Sequence, residues 1–313
     1  MLEITESDLD DSVTHLRRDV TVLASEIGER NLRDEPRRRS LAAAREYIVS
    51  ELVAAGHAVQ RQSYTVRDVA VENIEIELPG KDNEAESIVV GAHYDTAEGT
   101  PGANDNSSGV AALLEIARGA AKISREGRTV RLVAFCTEEP PYTRTPVMGS
   151  WVYARACRRR RDRLLGMLSL ETIGYYARSR RAEHAPFPLN YVSPWRPDFL
   201  AVFGNLSSRE LVAEVVRSFE RQGQVRCKGV VLPGALPGVR SSDQWSFWKE
   251  GYRGVMLTDT AFLRYRHYHR PTDTPDKLDF ERLAQVTSGA MRAIHRLAMS
   301  PASSQAIGAT RPR

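Results

Sequence analysis

Short apolar runs that each lead to a histidine or a carboxylate recur along this 313-residue sequence, and they constrain the fold more than any other feature. Residues 88–92 run into His93 and Asp95, residues 130–135 lead to Glu138 and Glu139, and residues 165–170 stop at Glu171. Compact apolar runs of this length read as buried strands. Two more lie at 199–203 and 254–257, and alternating segments at 60–66 and 73–78 predict an antiparallel pair. Helical periodicity marks 40–55, with Gly56 placed to end it, and 110–121, 151–160, 244–250 and 280–299. A further helix opens at Ser207, where Glu210 completes an S-x-x-E capping box. Apolar strands alternating with helices predict an α/β fold: one domain over residues 1–300 with a largely parallel central sheet and helices on both faces. The small, polar tail at 301–313 is expected to be disordered.

Composition narrows the class of function. Hydrophobic residues make up 42% of the chain, enough for a substantial core. The formal net charge of +4, from 44 basic and 40 acidic residues, is too small an excess to call for a nucleic-acid partner. Three cysteines, Cys136, Cys157 and Cys227, form no C-x-x-C pair. A thiolate metal site or a disulfide framework is therefore not expected, and a reducing compartment fits best. The acidic first residues lack a secretory pattern, and no apolar run is long enough to span a bilayer. The expectation is a cytoplasmic protein without a membrane partner. Nothing in the sequence sets its oligomeric state.

In open α/β sheets the carboxyl ends of the strands line the ligand crevice. His93, Asp95, Glu138, Glu139 and Glu171 all follow apolar strands, so separate strands deliver imidazole and carboxylate groups to one edge. Residues two apart in extended chain share a side. Asp95 is therefore placed to hold one imidazole nitrogen of His93 while the other binds a metal. For an isolated H-x-D, a structural hydrogen bond at a strand end is the commoner role. The loop 102–109, G-A-N-D-N-S-S-G, holds more capping residues than one helix start uses, which leaves Asp105 available to bridge two cations. Glu138 and Glu139 repel each other unless a cation sits nearby, although an exposed acidic turn before Pro140 and Pro141 accounts for the pair equally well. If a metal is present, one glutamate binds it and its neighbour faces a water whose pKa zinc lowers to roughly 7.

Taken in order, H-Y-D at 93–95, G-A-N-D-N-S-S-G at 102–109, E-E at 138–139, an acid closing a strand at 171 and Y-H-x-x-x-D-T-x-D-K-L at 268–278 resemble the co-catalytic dizinc aminopeptidases. That family includes bacterial leucine-type aminopeptidases, glutamate carboxypeptidases and glutaminyl cyclases. The resemblance spans roughly residues 40–297. It implies the zinc-exopeptidase, phosphorylase/hydrolase-like form of the α/β fold and two zinc ions per chain. By the same resemblance Asp105 bridges the metals, His93 and Glu171 complete one, and Glu139 and His269 complete the other. Glu138 becomes the general base, Asp95 the partner of His93, and Tyr268 a group that stabilises the oxyanion. Residues 242–247 and 257–262 also resemble the family and read as scaffold or pocket. Two departures stand out. Glu171 occupies a position where many members have Asp, and the segment 140–146 is longer than the usual turn before Gly149 and Ser150, which should reshape the substrate pocket.

The expected activity is hydrolysis of a peptide bond next to a free amino terminus, in a peptide or small aminoacyl substrate. Rivals are a glutaminyl cyclase-like acyltransferase with one zinc, a carboxypeptidase, which needs a basic group for the substrate carboxylate, and a non-catalytic protein that retains the metal. The run Arg158 to Arg161 reads as a solvated helix end. His267 competes with His269, whose Y-H context favours it as the ligand. His15, His57, His184 and His295 read as surface or structural, and Tyr142, Trp151, Phe262 and Tyr265 as core or an apolar pocket.

Overall fold

Two hairpin strands, β1 (Val59–Val66) and β2 (Val69–Leu78), pair antiparallel and form one edge of an eight-stranded sheet. The structure is a computed structural model that describes residues 2, 4–82, 86–123, 126–176, 198–221, 224–234 and 242–299. The expectations for the tail 301–313 and for His184 lie outside the described residues. Beyond the hairpin come β3 (Ser87–His93), β4 (Val130–Phe135), β5 (Leu164–Leu170), β6 (Phe199–Gly204), β7 (Arg226–Val231) and β8 (Gly254–Thr258). The spatial order is β1-β2-β4-β3-β5-β8-β6-β7. Strands β4, β3, β5 and β8 run parallel through the centre, while β2 against β4 and β6 against β8 are antiparallel. The sheet is thus mixed, with a parallel heart.

Period-two alternation explains why both faces are covered. Along β3 and β4, Val90, Ala92, Leu132 and Ala134 enter one apolar cluster, while Val89, Val133 and Phe135 enter the other. The first face is covered by α1 (Glu6–Thr21), α2 (Glu35–Ala54), α3 (Ser108–Arg118), α5 (Arg209–Glu220) and α8 (Phe280–Met299). The second carries α4 (Gly149–Arg160) and α6 (Gln244–Lys249), which pack on each other through Tyr153 and Phe247. A short turn of helix, α7 (Ala261–Arg264), follows β8.

Several boundaries move for identifiable reasons. Helix α2 starts at Glu35 rather than at 40, because Asp34 accepts the Arg37 amide and Pro36 sits in the first turn. The capping box expected at Ser207 does not form. Asn205 accepts the Ser208 amide over a 3₁₀ turn, and α5 begins only at Arg209. Helix α1 and edge strand β7 were not anticipated from the sequence. The first is fixed by a box in which the Thr5 hydroxyl and the Asp8 carboxylate each accept the other's amide.

Candidate metal centre

The register of the parallel strands determines where the site lies. His93 is the last residue of β3 and pairs with Phe135, the last of β4, while Gly91 pairs with Ser169 near the end of β5. Chain leaving these three neighbouring strands therefore carries His93, Glu138 with Glu139, and Glu171 to a single edge. Asp105 arrives on the turn before α3 and His269 on the loop beyond α7.

Asp105 stands at the middle. Its Oδ1 lies 3.3 Å from His93 Nε2, and its Oδ2 lies 2.9 Å from His269 Nε2. Glu171 Oε2 is 3.3 Å from His93 Nε2, and Glu139 Oε2 is 3.3 Å from His269 Nε2. Donor atoms of His93, Asp105 and Glu171 all lie within 4.8 Å of one another, as do those of Asp105, Glu139 and His269. A third such group joins His93, Glu138 and Glu139. Both Asp105 oxygens, the Nε2 atoms of both histidines and one oxygen each of Glu138 and Glu139 are buried without a hydrogen bond. Buried polar atoms left unpaired are costly. Nitrogen and oxygen donors that converge on shared points without bonding each other fit divalent zinc. Asp105, with one oxygen toward each imidazole, has the form of a bridge.

Electrostatics point the same way. Burial works against charge on His93, but Glu171 and Glu138 outweigh it and hold the imidazole well above its ordinary pKa. His269, opposed by burial but held beside the Asp105 and Glu139 carboxylates, rises to about 10. Burial also pushes Asp105 up, yet the two imidazoles hold it below the usual carboxylate range. Burial raises Glu139 to about 7, with Asp105 adding to it, and lifts Glu138 and Glu171 as well. Without a cation this cluster retains protons that metal ions displace on binding.

The surrounding residues fix the candidate ligands through the backbone. The Asp95 carboxylate accepts the amides of Glu138 and Glu139, each at 3.1 Å. It lies 3.6 Å from His93 Nδ1, beyond hydrogen-bonding range, and the Asp95 carbonyl at 3.2 Å is the nearer partner. Asp95 thus anchors the glutamate pair and reaches His93 through its main chain. Asp273 makes the matching arrangement on the other side, accepting the amides of Asn104 at 2.9 Å and Asp105 at 3.1 Å. Its only mark in the sequence was its place in the Y-H-x-x-x-D run. Ser242 donates to Glu171 Oε2 at 2.7 Å, and Asp259 accepts from Asn104 at 2.9 Å, so both segments read as scaffold support the site. Asp243 is fully buried, with neither carboxylate oxygen hydrogen-bonded.

Arg30 escaped sequence reading altogether. It is fully buried and donates through Nε to Tyr94 O at 2.6 Å, through Nη1 to Leu23, Gly28 and Pro101 carbonyls, and through Nη2 to Ser107 Oγ at 2.7 Å. It ties the chain after His93 to the turn that carries Asp105. Burial draws its pKa down to about 10 against the pull of Asp95, Asp273, Asp105 and Glu139, so it stays charged at neutral pH.

Tyr268 stacks on His269 with ring centroids 4.0 Å apart. Burial, and then Asp105, Glu139, Glu171 and Glu138, raise its hydroxyl well above its ordinary value. His267 instead bonds Thr272 at 2.8 Å and does not join the cluster. The segment after Glu139 is closed at its base by Thr137 Oγ1 donating to Val147 O and by the Gly149 amide donating to Cys136 O, while Thr143 Oγ1 reaches Glu138 O. Tyr142 packs into the core beside it, and Tyr265 is buried with its hydroxyl on Asp273. Trp151 meets Trp245 edge to face, and Phe262 is exposed.

Comparison with known proteins gives the family and the fold. The family described as Peptidase family M28 matches residues 73–294. A protein of Escherichia coli, "Uncharacterized protein YfbL", is 35% identical over 266 residues, covering 82% of this chain and 80% of that one. Among solved structures, a Legionella pneumophila LapA aminopeptidase superposes with a TM-score of 0.68 at 18% identity, covering 96% of this chain and 77% of that one. The zinc aminopeptidase BSAP from Bacillus subtilis gives 0.68 at 16% identity, covering 91% and 95%. A Porphyromonas gingivalis glutaminyl cyclase gives 0.63 at 20%, covering 92% and 98%. At such identities the structural likeness establishes the fold.

Proposed function

Since the chain belongs to peptidase family M28, a family of zinc peptidases, we propose that it is a two-zinc exopeptidase acting as an aminopeptidase. The observation that carries the proposal is the bridge at Asp105, whose two oxygens face different imidazoles. In this reading His93, Asp105 and Glu171 would hold one zinc, and Asp105, Glu139 and His269 would hold the other. Zinc supplies the Lewis acidity that brings a water's pKa to roughly 7 and polarises a carbonyl. Glu138, outside the two ligand sets and raised by burial, takes a proton from the attacking water. It returns that proton to the amine as the carbon–nitrogen bond breaks. Tyr268, kept in its phenol form by burial and four nearby carboxylates, donates a hydrogen bond to the oxyanion. Asp95 and Asp273 keep the ligand-bearing backbone in place.

The substrate proposed is a peptide or aminoacyl compound with a free amino terminus, and the three unpaired thiols favour the cytoplasm. No helix among the described residues is long and apolar enough to cross a membrane. The decisive test pairs Glu138→Gln with metal analysis and a panel of amino-acid arylamides. Zinc near two per chain and a turnover lower by about 10²–10⁴-fold in the variant are expected. One zinc per chain favours a cyclase-like acyltransferase. An undiminished rate removes Glu138 from the chemistry, and wild type without chelator-sensitive hydrolysis refutes the aminopeptidase assignment.

A further inference from the structure

A cavity of about 190 Å³ opens against the metal centre, with Glu139 and Asp95 on the shared wall. It is smaller than the roughly 300–1,000 Å³ pockets that hold drug-sized ligands, and it suits one residue of a substrate. Other parts of the lining come from Tyr142, on the long segment after Glu139, from Arg67 at the β1–β2 turn, and from Arg33. The segment that departs from the family pattern thus forms part of this cavity.

The charges around it are unequally committed. Arg33 pairs with Glu98 at 2.5 Å. The Asp95 carboxylate is taken by two backbone amides, and Glu139 belongs to the metal cluster. Arg67 has no carboxylate partner among the described residues; its guanidinium lies 5.5 Å from the centre of the Tyr142 ring. The aromatic face orients the cation without neutralising it. A planar fork of donors lining a one-residue cavity matches a carboxylate.

We propose that this cavity is a subsite for a substrate carboxylate, with Arg67 as the residue that selects it. The inference rests on the peptidase reading and narrows its substrate class to peptides that carry an acidic group close to the cleaved bond. That group has three sources: the side chain of the first residue, the side chain of the second, or the free carboxyl terminus of a dipeptide.

Three substrate pairs separate these sources in the zinc-loaded protein. With X the residue preferred in the arylamide panel, they are Glu against Gln arylamide, X-Asp-amide against X-Asn-amide, and X-Gly against X-Gly-amide. The readout is the acid-to-amide ratio of kcat/KM. One pair is expected to favour the acid about tenfold or more in wild type. Arg67→Met should abolish that preference, Arg67→Glu should invert it, and Arg67→Lys should restore part of it. Ratios near one in all pairs, or a preference that survives both Arg67→Met and Arg67→Glu, overturn the subsite while leaving the peptidase intact. Absence of hydrolysis of every substrate by wild type overturns the peptidase reading and the subsite with it.

Discussion

Replacing Arg30 with Met tests whether a single buried cation holds the metal loops together. Methionine keeps much of the side-chain length and removes every donor. Carbonyls of Tyr94, Leu23, Gly28, Pro101 and Gly102 then lose a partner, as does the Ser107 hydroxyl. A hydrogen bond to a charged group contributes about 1.5–3 kcal/mol, but six made by one guanidinium are not independent. Disrupting a buried, fully bonded charge costs about 3–5 kcal/mol, a large share of a total stability of about 5–15 kcal/mol. At about 2 °C per kcal/mol for a chain of this size, the metal-free variant should melt about 6–10 °C below wild type. Arg30 also ties the chain after His93 to the turn of Asp105, so zinc affinity, read by competition with a chromogenic chelator, should weaken too. Arg30→Lys keeps the charge but loses the planar fork and should fall between the two. A melting temperature for Arg30→Met within 1 °C or so of wild type, a shift of under about 0.5 kcal/mol, would refute the reasoning. A lowered melting temperature with unchanged zinc affinity would confine Arg30 to holding the fold.

Two other perturbations check the site independently. His269→Ala should lose bound zinc on dialysis, whereas His267→Ala, whose ring bonds Thr272, should retain it; equal retention by both would remove His269 from the ligand set. Asp259→Asn should stabilise the protein in a pH-dependent way. Burial lifts the Asp259 carboxyl from 3.8 to about 7, so between those values the folded state holds a proton that the unfolded state has lost. Stability of the wild type therefore falls as pH rises from about 4 to about 7, by up to about 4 kcal/mol, and stays level above. Asparagine retains the acceptor for Asn104 and the Tyr175 amide, so its advantage in urea unfolding should be larger at pH 8 than at pH 4, and an equal advantage at both would contradict the assignment.

What could be read from the sequence followed from local signals. β4 and α8 appear with the boundaries their periodicity predicts, and His93, Glu138, Glu139 and Glu171 are visible because each stands just at or beyond a strand end. Asp105 stood out through a loop with more capping groups than one helix needs. Hidden from view were residues whose roles depend on distant chain. Arg30 bonds acceptors 64 and 71 positions away, and Asp273 holds amides 168 and 169 positions away. No periodicity reports such contacts. Strand β7 was missed because an edge strand with one exposed flank lacks the continuous apolar run of a central one. The capping box at Ser207 failed because Asn205, two residues earlier, accepts both the Ser207 hydroxyl and the Ser208 amide, which occupies the Ser207 side chain and moves the cap upstream.

The closed base of the segment between Glu139 and Gly149 has an evolutionary consequence. Its two ends are joined by hydrogen bonds from Thr137 and Gly149, while Asp95 independently grips the glutamate amides. Residues inserted beyond that neck alter only the loop it closes, and doubling such a loop costs about 0.6 kcal/mol in closure entropy. The wall around Tyr142 can therefore be lengthened, shortened or recoloured while the candidate donors a few residues upstream stay anchored by Asp95.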